Sequence, residues 1–336
     1  MTDFSHGGNI EQFANELSCE ISEVIDLSSN INFLKPTVNL DLNNIDITTY
    51  PTYTKLNYEL AKNYDVNTEQ IEVFNGGSSA IFSLFSSLKL EHCTIYSPAY
   101  LEYKKAAITY NYEYDLINRF TNLNRAVKEN SLIVFVNPST PDGLYYNLEN
   151  YLEAWNKLGC TVLIDESFLD FTNNKSVLEY VNKYENLYVL KSMTKYYACA
   201  GIRCGMIISN KKNIQRLKQN TAQWKISVLD AQYIIKALND EVFKKTSKAI
   251  NIKNHELLYK VLREFKYIQT VYTSDANFFL VKLKNTNASK LQNYLKNYKI
   301  LIRDCSNFDF LDDSYVRFAV KDETAIITLK KAFDKL

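Results

Sequence analysis

Five short apolar runs constrain this chain more than any other feature: "CTIYSP" (93–98), "SLIVFVNP" (131–138), "CTVLIDES" (160–167), "LYVLKS" (187–192) and "CGMIIS" (204–209). Each is only a handful of residues long, rich in β-branched or large apolar side chains, and bounded by turn formers, so each reads as a buried strand. Amphipathic stretches fill the gaps. "SSAIFSLFSSL" puts Ile81, Leu84, Phe85 and Leu88 on one helical face, with Ser78 or Ser79 able to cap its start. "LENYLEAWNKLG" ends in a glycine suited to a helix C-cap. Strand–helix alternation of this kind predicts an α/β fold with a mostly parallel sheet covered by helices. After about residue 210 the text becomes long helical segments (213–265), then "NFFLVKL", a helix near 287–297, "ILIRDCS", "YVRFAV" and a closing helix. These predict a smaller α+β domain. The expected division is a large domain over 46–235, with 1–45 and 236–336 in the small one.

Composition narrows the functional classes. With Lys+Arg 39 against Asp+Glu 38, the chain lacks the basic excess that would hold a nucleic acid by phosphate neutralisation. The six cysteines show no CxxC spacing and read as reduced, mostly buried thiols. Three histidines, far apart in sequence, argue against a dedicated metal site. The N-terminal text carries acids and no apolar signal region, and no apolar run approaches the ~18 residues of a membrane span. A cytoplasmic protein with no membrane or nucleic-acid partner is expected.

The polar residues fall where a site would form. In parallel sheets, ligands bind beyond the carboxyl ends of the strands. Here successive runs close on Asn137, Asp165 and Ser192. Asp165, at the end of an apolar strand, needs a cationic partner to stay ionised. Lys195 is a nucleophile only when neutral, and a neighbouring cation such as Arg203 would lower its pKa while gripping an anion. "NGGSSA" (75–80) opens a helix whose first N–H groups could hold that same anion. A lysine for an aldehyde, a carboxylate for a ring nitrogen and a phosphate cradle together describe pyridoxal 5′-phosphate. Neither GxxxxGK[ST] nor GxGxxG after a strand occurs, so nucleotide cofactors have less support.

With these residues assembled, the chain resembles the fold-type I pyridoxal-phosphate enzymes of the aspartate aminotransferase superfamily, over nearly its whole length. "SMTKYYACAGIRCG" is similar to the box S-x-[ST]-K-x5-G-x-R-x-G, which implies Lys195 as the Schiff-base lysine and Ser192 and Arg203 on the cofactor phosphate. "VNPSTPDG" resembles N-P-x-x-P-[TD]-G and implies Asn137 on the ring oxygen. "DESFLDF" resembles D-E-[AS]-[FY] and implies Asp165 on the ring nitrogen. "NGGSSAIF" corresponds to the phosphate cup, Gly76, Gly77 and Ser78, and "SPAYLEY" places Tyr100 where an aromatic stacks on the ring. "TYPTYTKL" resembles an element whose tyrosine, here Tyr50, reaches the cofactor of a neighbouring subunit, which implies a homodimer with shared sites. "YVRFAV" puts Arg317 at the substrate carboxylate.

Within that superfamily the chain is similar to the branch of histidinol-phosphate aminotransferases and threonine-phosphate decarboxylases, the latter serving cobalamin biosynthesis. "SHGGN" (5–9), "DLSSNINFLKP" (26–36) and "ILIRDCSNFDFLDDSYVRFAV" favour the decarboxylases. That resemblance implies His6, Gly7, Gly8, Asn30, Asn32, Asn137, Arg303 and Arg317 around a phosphorylated L-amino acid. Either arginine could clamp an anionic group in bidentate fashion. The expected reaction is decarboxylation of L-threonine O-phosphate or L-serine O-phosphate, with transamination of the histidinol-phosphate type as the alternative. The chain departs from the pattern at Phe168, which replaces a tyrosine, at Phe33, which replaces a proline, at Phe310, which replaces a glycine, and in the cup, which reads Gly-Gly-Ser-Ser without the family's acidic residue.

Overall fold

A computed structural model describes residues 7–336. Its main sheet has seven strands: β2 (Ile71–Phe74), β3 (His92–Ser97), β4 (Glu113–Asn118), β5 (Leu132–Val136), β6 (Thr161–Asp165), β7 (Leu187–Ser192) and β8 (Gly205–Ser209). The order is β2-β8-β7-β6-β5-β3-β4. β3 to β7 are joined by parallel ladders. β8 runs antiparallel to both of its neighbours, so β2 points the same way as β7. All five expected runs are strands, and β8 is the one turned against the rest.

The apolar runs look continuous because both faces of the sheet are covered. Ile133, Phe135, Ile164 and Val189 pack on one side with the helices Thr54–Tyr64, Glu149–Lys157 and Val228–Leu238. Leu132, Val134, Leu163 and Leu190 pack on the other with Gly76–Leu88, Glu102–Thr109 and Lys211–Gln219. Ile81, Leu84, Phe85 and Leu88 are all buried, as their spacing predicts. Gly159 follows the helix Glu149–Lys157 with φ +67°, in the left-handed conformation of a C-terminal cap.

A second sheet, β12-β13-β10-β9, is antiparallel and uses β9 (Ile268–Val271), β10 (Phe278–Leu283), β12 (Arg303–Asp304) and β13 (Tyr315–Ala319). The helices Glu241–Glu264, Ala288–Leu295 and Glu323–Phe333 bury their apolar sides in the core of this half. The N-terminal segment is less irregular than its sequence suggests. It holds a helix, Ile10–Glu16, and a strand β1 (Ile25–Asp26) that pairs in parallel with β11 (Ile300–Leu301). From there it crosses to the main sheet, where the Asn32 N–H donates to the Lys195 carbonyl at 3.0 Å.

One expectation needs correction, and one departure from the pattern gains a physical cost. The helix after β2 starts at Gly76, with Asn75 at the N-cap, so Ser78 and Ser79 lie inside the first turn and cap nothing. Phe310, where the resemblance expects glycine, takes φ +65°. A phenylalanine held in that left-handed region costs about 1 kcal/mol or more.

Candidate active site

Because β5, β6 and β7 are adjacent and parallel, their carboxyl ends bring Asn137, Asp165 and Ser192 to one edge of the sheet. A cavity of about 300 Å³ opens there, walled by Gly77, Ser78, Tyr100, Thr140, Asp165, Ser192, Thr194, Lys195 and Arg203 from the main sheet's side. Gly7, Ser28, Ser29 and Asn30 of the N-terminal segment close another wall, and Arg303, Phe308 and Arg317 come from the second sheet and its loop.

Lys195 stands on the short helix Met193–Tyr196 directly after β7. Burial, then the guanidinium groups of Arg317 and Arg203, lower its pKa from 10.5 to about 8, while Asp165 pulls the other way. Such a lysine has a substantial neutral fraction near physiological pH and can act as a nucleophile. Asp165 is buried, and burial raises its carboxyl above the ordinary value against the hydrogen bonds that lower it. Those bonds come from the Ser167 N–H at 2.8 Å, the Ser167 hydroxyl at 2.5 Å and the Tyr103 hydroxyl at 2.5 Å.

The end of the cavity beneath Lys195 is built for an anion. The helix Gly76–Leu88 begins there, and Asn75 makes no side-chain capping bond, so the first-turn N–H groups are left for another acceptor. Around them stand Ser78, hydroxyl to hydroxyl with Tyr100 at 3.1 Å, and Ser192, likewise with Thr194 at 2.9 Å. Arg203, oriented by a 2.8 Å bond to the Ala200 carbonyl, completes the ring. Gly76 lies behind it: φ is +81°, and a Cβ there would collide with the Arg203 guanidinium. Gly205 on β8 is pressed against the same turn, with its Cβ position 2.7 Å from the Gly77 nitrogen. Gly76→Ala should therefore lower stability by about 1–3 kcal/mol and displace Arg203. Thermal unfolding with and without phosphate would show a lower Tm and a weaker phosphate-induced rise.

The two arginines are cross-strand partners. Arg303 on β12 pairs in register with Arg317 on β13, and both are at least nine-tenths buried. Like charges placed opposite each other on a sheet destabilise it unless something compensates. Arg317 donates to Thr140 Oγ1 and to the Ser28 carbonyl, each at 2.6 Å, with its guanidinium 5.3 Å from the Phe278 ring centre. Arg303 donates to Asn307 Oδ1 at 2.8 Å and lies 5.3 Å from the Phe308 ring centre.

Not every expected residue reaches the cavity. Asn137 is buried beside it, but its amide donates to and accepts from the Tyr146 backbone, both at 2.9 Å, and it does not line the space. Asn32 also stays outside: its amide nitrogen is held by the Tyr196 carbonyl at 2.8 Å and Ser247 Oγ at 2.7 Å. Gly8 gives its N–H to Ser28 Oγ at 3.0 Å, one step behind the wall. Tyr50 is 72% exposed on the outer surface, stacked on Trp224 with ring centres 4.2 Å apart. His6 lies outside the described residues. Conversely, Thr194, Thr140, Ser167 and Phe308 line the cavity without having been singled out in sequence, although Thr194 sits inside the quoted lysine box.

The sequence pattern described as aminotransferase class I and II matches residues 22–332. The chain belongs to the class I and II aminotransferase family. Its fold is that of the family's pyridoxal-phosphate-dependent members. Among similar proteins, the adenosylcobalamin biosynthesis bifunctional protein CobDQ of Leptospira interrogans is 29% identical over 340 residues, covering 94% of this chain. This chain spans 39% of that longer protein. The threonine-phosphate decarboxylase of Salmonella typhimurium is 28% identical, with 94% of this chain and 92% of that protein covered. The crystal structure of the histidinol-phosphate aminotransferase from Clostridium acetobutylicum superposes with a TM-score of 0.81 at 29% identity, covering 92% of this chain and 98% of that one. Family membership thus spans both a decarboxylase and an aminotransferase.

The residues fit the family's cofactor. The cradle at the Gly76–Leu88 helix has room at Gly77, whose nearest neighbours beyond a Cβ position are 3.8 Å away, and Arg203 faces it. A lysine of lowered pKa and a buried carboxylate stand in the same cavity. Among the described residues no group of His, Cys, Asp and Glu could hold a metal ion, all six cysteines are free, and no helix is long and apolar enough to cross a membrane.

Proposed function

We propose that the protein is a pyridoxal-phosphate-dependent decarboxylase of a phosphorylated L-amino acid. It would convert L-threonine O-phosphate to 1-amino-2-propanol phosphate, or L-serine O-phosphate to ethanolamine phosphate. The observation that carries this reading is the buried pair Arg303 and Arg317, side by side across one ladder and facing the cavity that holds Lys195. Two guanidinium groups lining one cavity can grip a ligand with two anionic groups, and a phospho-amino acid has a phosphate and a carboxylate.

In this reading Gly77, Ser78, Ser192, Thr194 and Arg203 would hold the cofactor phosphate, Tyr100 would supply an aromatic surface for its ring, and Asp165 would partner the ring nitrogen. Bound there, pyridoxal phosphate supplies an electron sink next to the substrate Cα. Lys195 would hold the cofactor through its aldehyde carbon, and its neutral amine would move a proton at the substrate Cα. Arg317 and Arg303 orient the substrate, which decides whether the bond to the carboxylate or the bond to hydrogen is aligned for cleavage. Gly7, Ser28, Ser29 and Asn30 close the substrate end against water. We also assign a cytoplasmic homodimer, with the exposed Tyr50 reaching the partner's cofactor.

The likeness to a histidinol-phosphate aminotransferase structure supports a second reading, transamination with 2-oxoglutarate on the same machinery. Supplying the holoenzyme with each phospho-amino acid separates the two. Release of CO2 supports the decarboxylase; glutamate formed from 2-oxoglutarate without CO2 sinks it. Arg303→Gln should lower kcat/KM for the phosphorylated substrate by between about tenfold and a hundredfold. Analogues lacking the phosphate should be nearly unaffected, and an equal loss on both would remove Arg303 as the phosphate anchor.

A further inference from the structure

We propose that Tyr103 is the positioning residue that fixes Asp165 toward the cofactor's ring nitrogen, an assignment that rests on the cofactor reading above. Tyr103 is fully buried and does not line the cavity, so it acts on a ligand only through another side chain. A buried phenol needs a hydrogen-bond partner, and this one donates to Asp165 Oδ2 at 2.5 Å.

The remaining bonds of the carboxylate make that contact decisive. Oδ1 accepts two hydrogen bonds, from the N–H and the hydroxyl of Ser167, and is saturated. Oδ2 accepts one, from Tyr103, and keeps a lone pair. The Tyr103 hydroxyl thus selects which oxygen meets an incoming N–H and prevents the carboxylate from rotating. It also favours the ionised form against burial, which pushes the Asp165 carboxyl up. Tyr100 lies just before the helix Glu102–Thr109 that carries Tyr103; its carbonyl accepts the Tyr103 N–H at 3.3 Å, and the two rings stand edge to face at 6.3 Å. One tight turn at the helix start therefore supplies both the ring that would lie on the cofactor and the hydroxyl that aims the carboxylate.

The test compares the wild type, Tyr103→Phe, and Tyr112→Phe as a control. Tyr112 is another buried tyrosine, whose hydroxyl donates to the Phe85 carbonyl at 2.8 Å, away from the site. Pyridoxal 5′-phosphate itself is the probe, titrated into apoprotein by absorbance. The titration of Asp165 in the apoprotein is followed in parallel by NMR of 13C-labelled aspartate. Tyr103→Phe should weaken cofactor binding by about tenfold. It should also move the Asp165 midpoint upward and lower kcat while leaving KM for the phospho-amino acid nearly unchanged. Tyr112→Phe should move neither the affinity nor the midpoint. Wild-type affinity and an unmoved Asp165 midpoint in Tyr103→Phe would overturn the proposal. If that variant does not fold, Tyr103→Met removes the same donor and must show the same two changes. A wild type that takes up no pyridoxal phosphate would overturn the cofactor reading itself, a result distinct from normal uptake by all three proteins.

Discussion

Replacing Lys195 with alanine should lower turnover of any amino-acid substrate by at least about a thousandfold, because the proposed function makes one side chain both nucleophile and proton carrier. Among the described residues no other amine lines the cavity. Arg317, its pKa lowered by burial only to about 10, keeps its proton, and Asp165 is held by Ser167 and Tyr103. Steady-state assays and loss of the cofactor's visible band check this; a residual rate within tenfold of the wild type would refute the role. The wild type carries a pH signature as well. With a pKa of about 8 the neutral amine fraction of Lys195 rises about fivefold between pH 7 and pH 8 and less than twofold beyond. The rate of cofactor attachment to apoprotein should follow that curve.

The same lysine shapes stability. Its folded-state pKa lies below the unfolded value of 10.5, so between about pH 8 and 10.5 the unfolded chain binds the extra proton. Apoprotein stability must therefore rise with pH across that window, by up to about 3 kcal/mol. Below pH 8 the folded state bears the full cost of the buried charge. Denaturant titrations at pH 7 and pH 10 on apo wild type and Lys195→Met would show the rise in the first and its absence in the second.

The second large effect lies behind the site. Lys191 and Glu166, each at most 2% exposed, form an ion pair at 2.7 Å. Glu166 also accepts from Ser176 Oγ at 2.6 Å and the Val177 N–H at 2.8 Å, and the Lys191 ammonium sits 4.9 Å from the Tyr64 ring centre. Burial alone would lower the Lys191 pKa; Glu166 and Asp170 hold it above its ordinary value. Lys191→Met should cost about 3–5 kcal/mol, because it strands a buried carboxylate. Removing the partner too, in Lys191→Met with Glu166→Gln, should recover part of the loss. Since these two residues flank Asp165 and Ser192 in sequence, the single variant should also loosen cofactor binding. Chemical denaturation reads the first effect; an unchanged midpoint would show that the pair contributes little.

Much of this arrangement was legible because a buried parallel strand advertises itself. The runs ending at Asn137, Asp165 and Ser192 are apolar on both faces and end in polar residues, and their adjacency follows from the sheet. β2 and β4 were missed for opposite reasons. β2 carries Glu72 in its middle, and that carboxylate is buried only because Lys225 and Lys218 reach it. β4 is an edge strand with an exposed start, so its text is mixed. Residue type also cannot show which backbone captures a side-chain amide. Asn137 and Asn32 carry the expected chemistry, yet Tyr146 and Tyr196 take it. Tyr103 left one signal, its spacing of three from Tyr100 across the start of a helix, and meaning comes to that spacing only once β6 delivers Asp165 beside it.

Arg317 reaches the cavity already immobilised, tied to Thr140 of the loop after β5 and to Ser28 of the N-terminal segment. Ordering a long side chain at the moment of binding costs about 0.5–1.5 kcal/mol of entropy. Here that loss falls on folding, before any carboxylate arrives. The tether also spans three separately built parts of the chain: second sheet, main-sheet loop and N-terminal segment. A ligand seated on Arg317 therefore meets a rigid reference point, and its orientation depends on all three parts being in place at once.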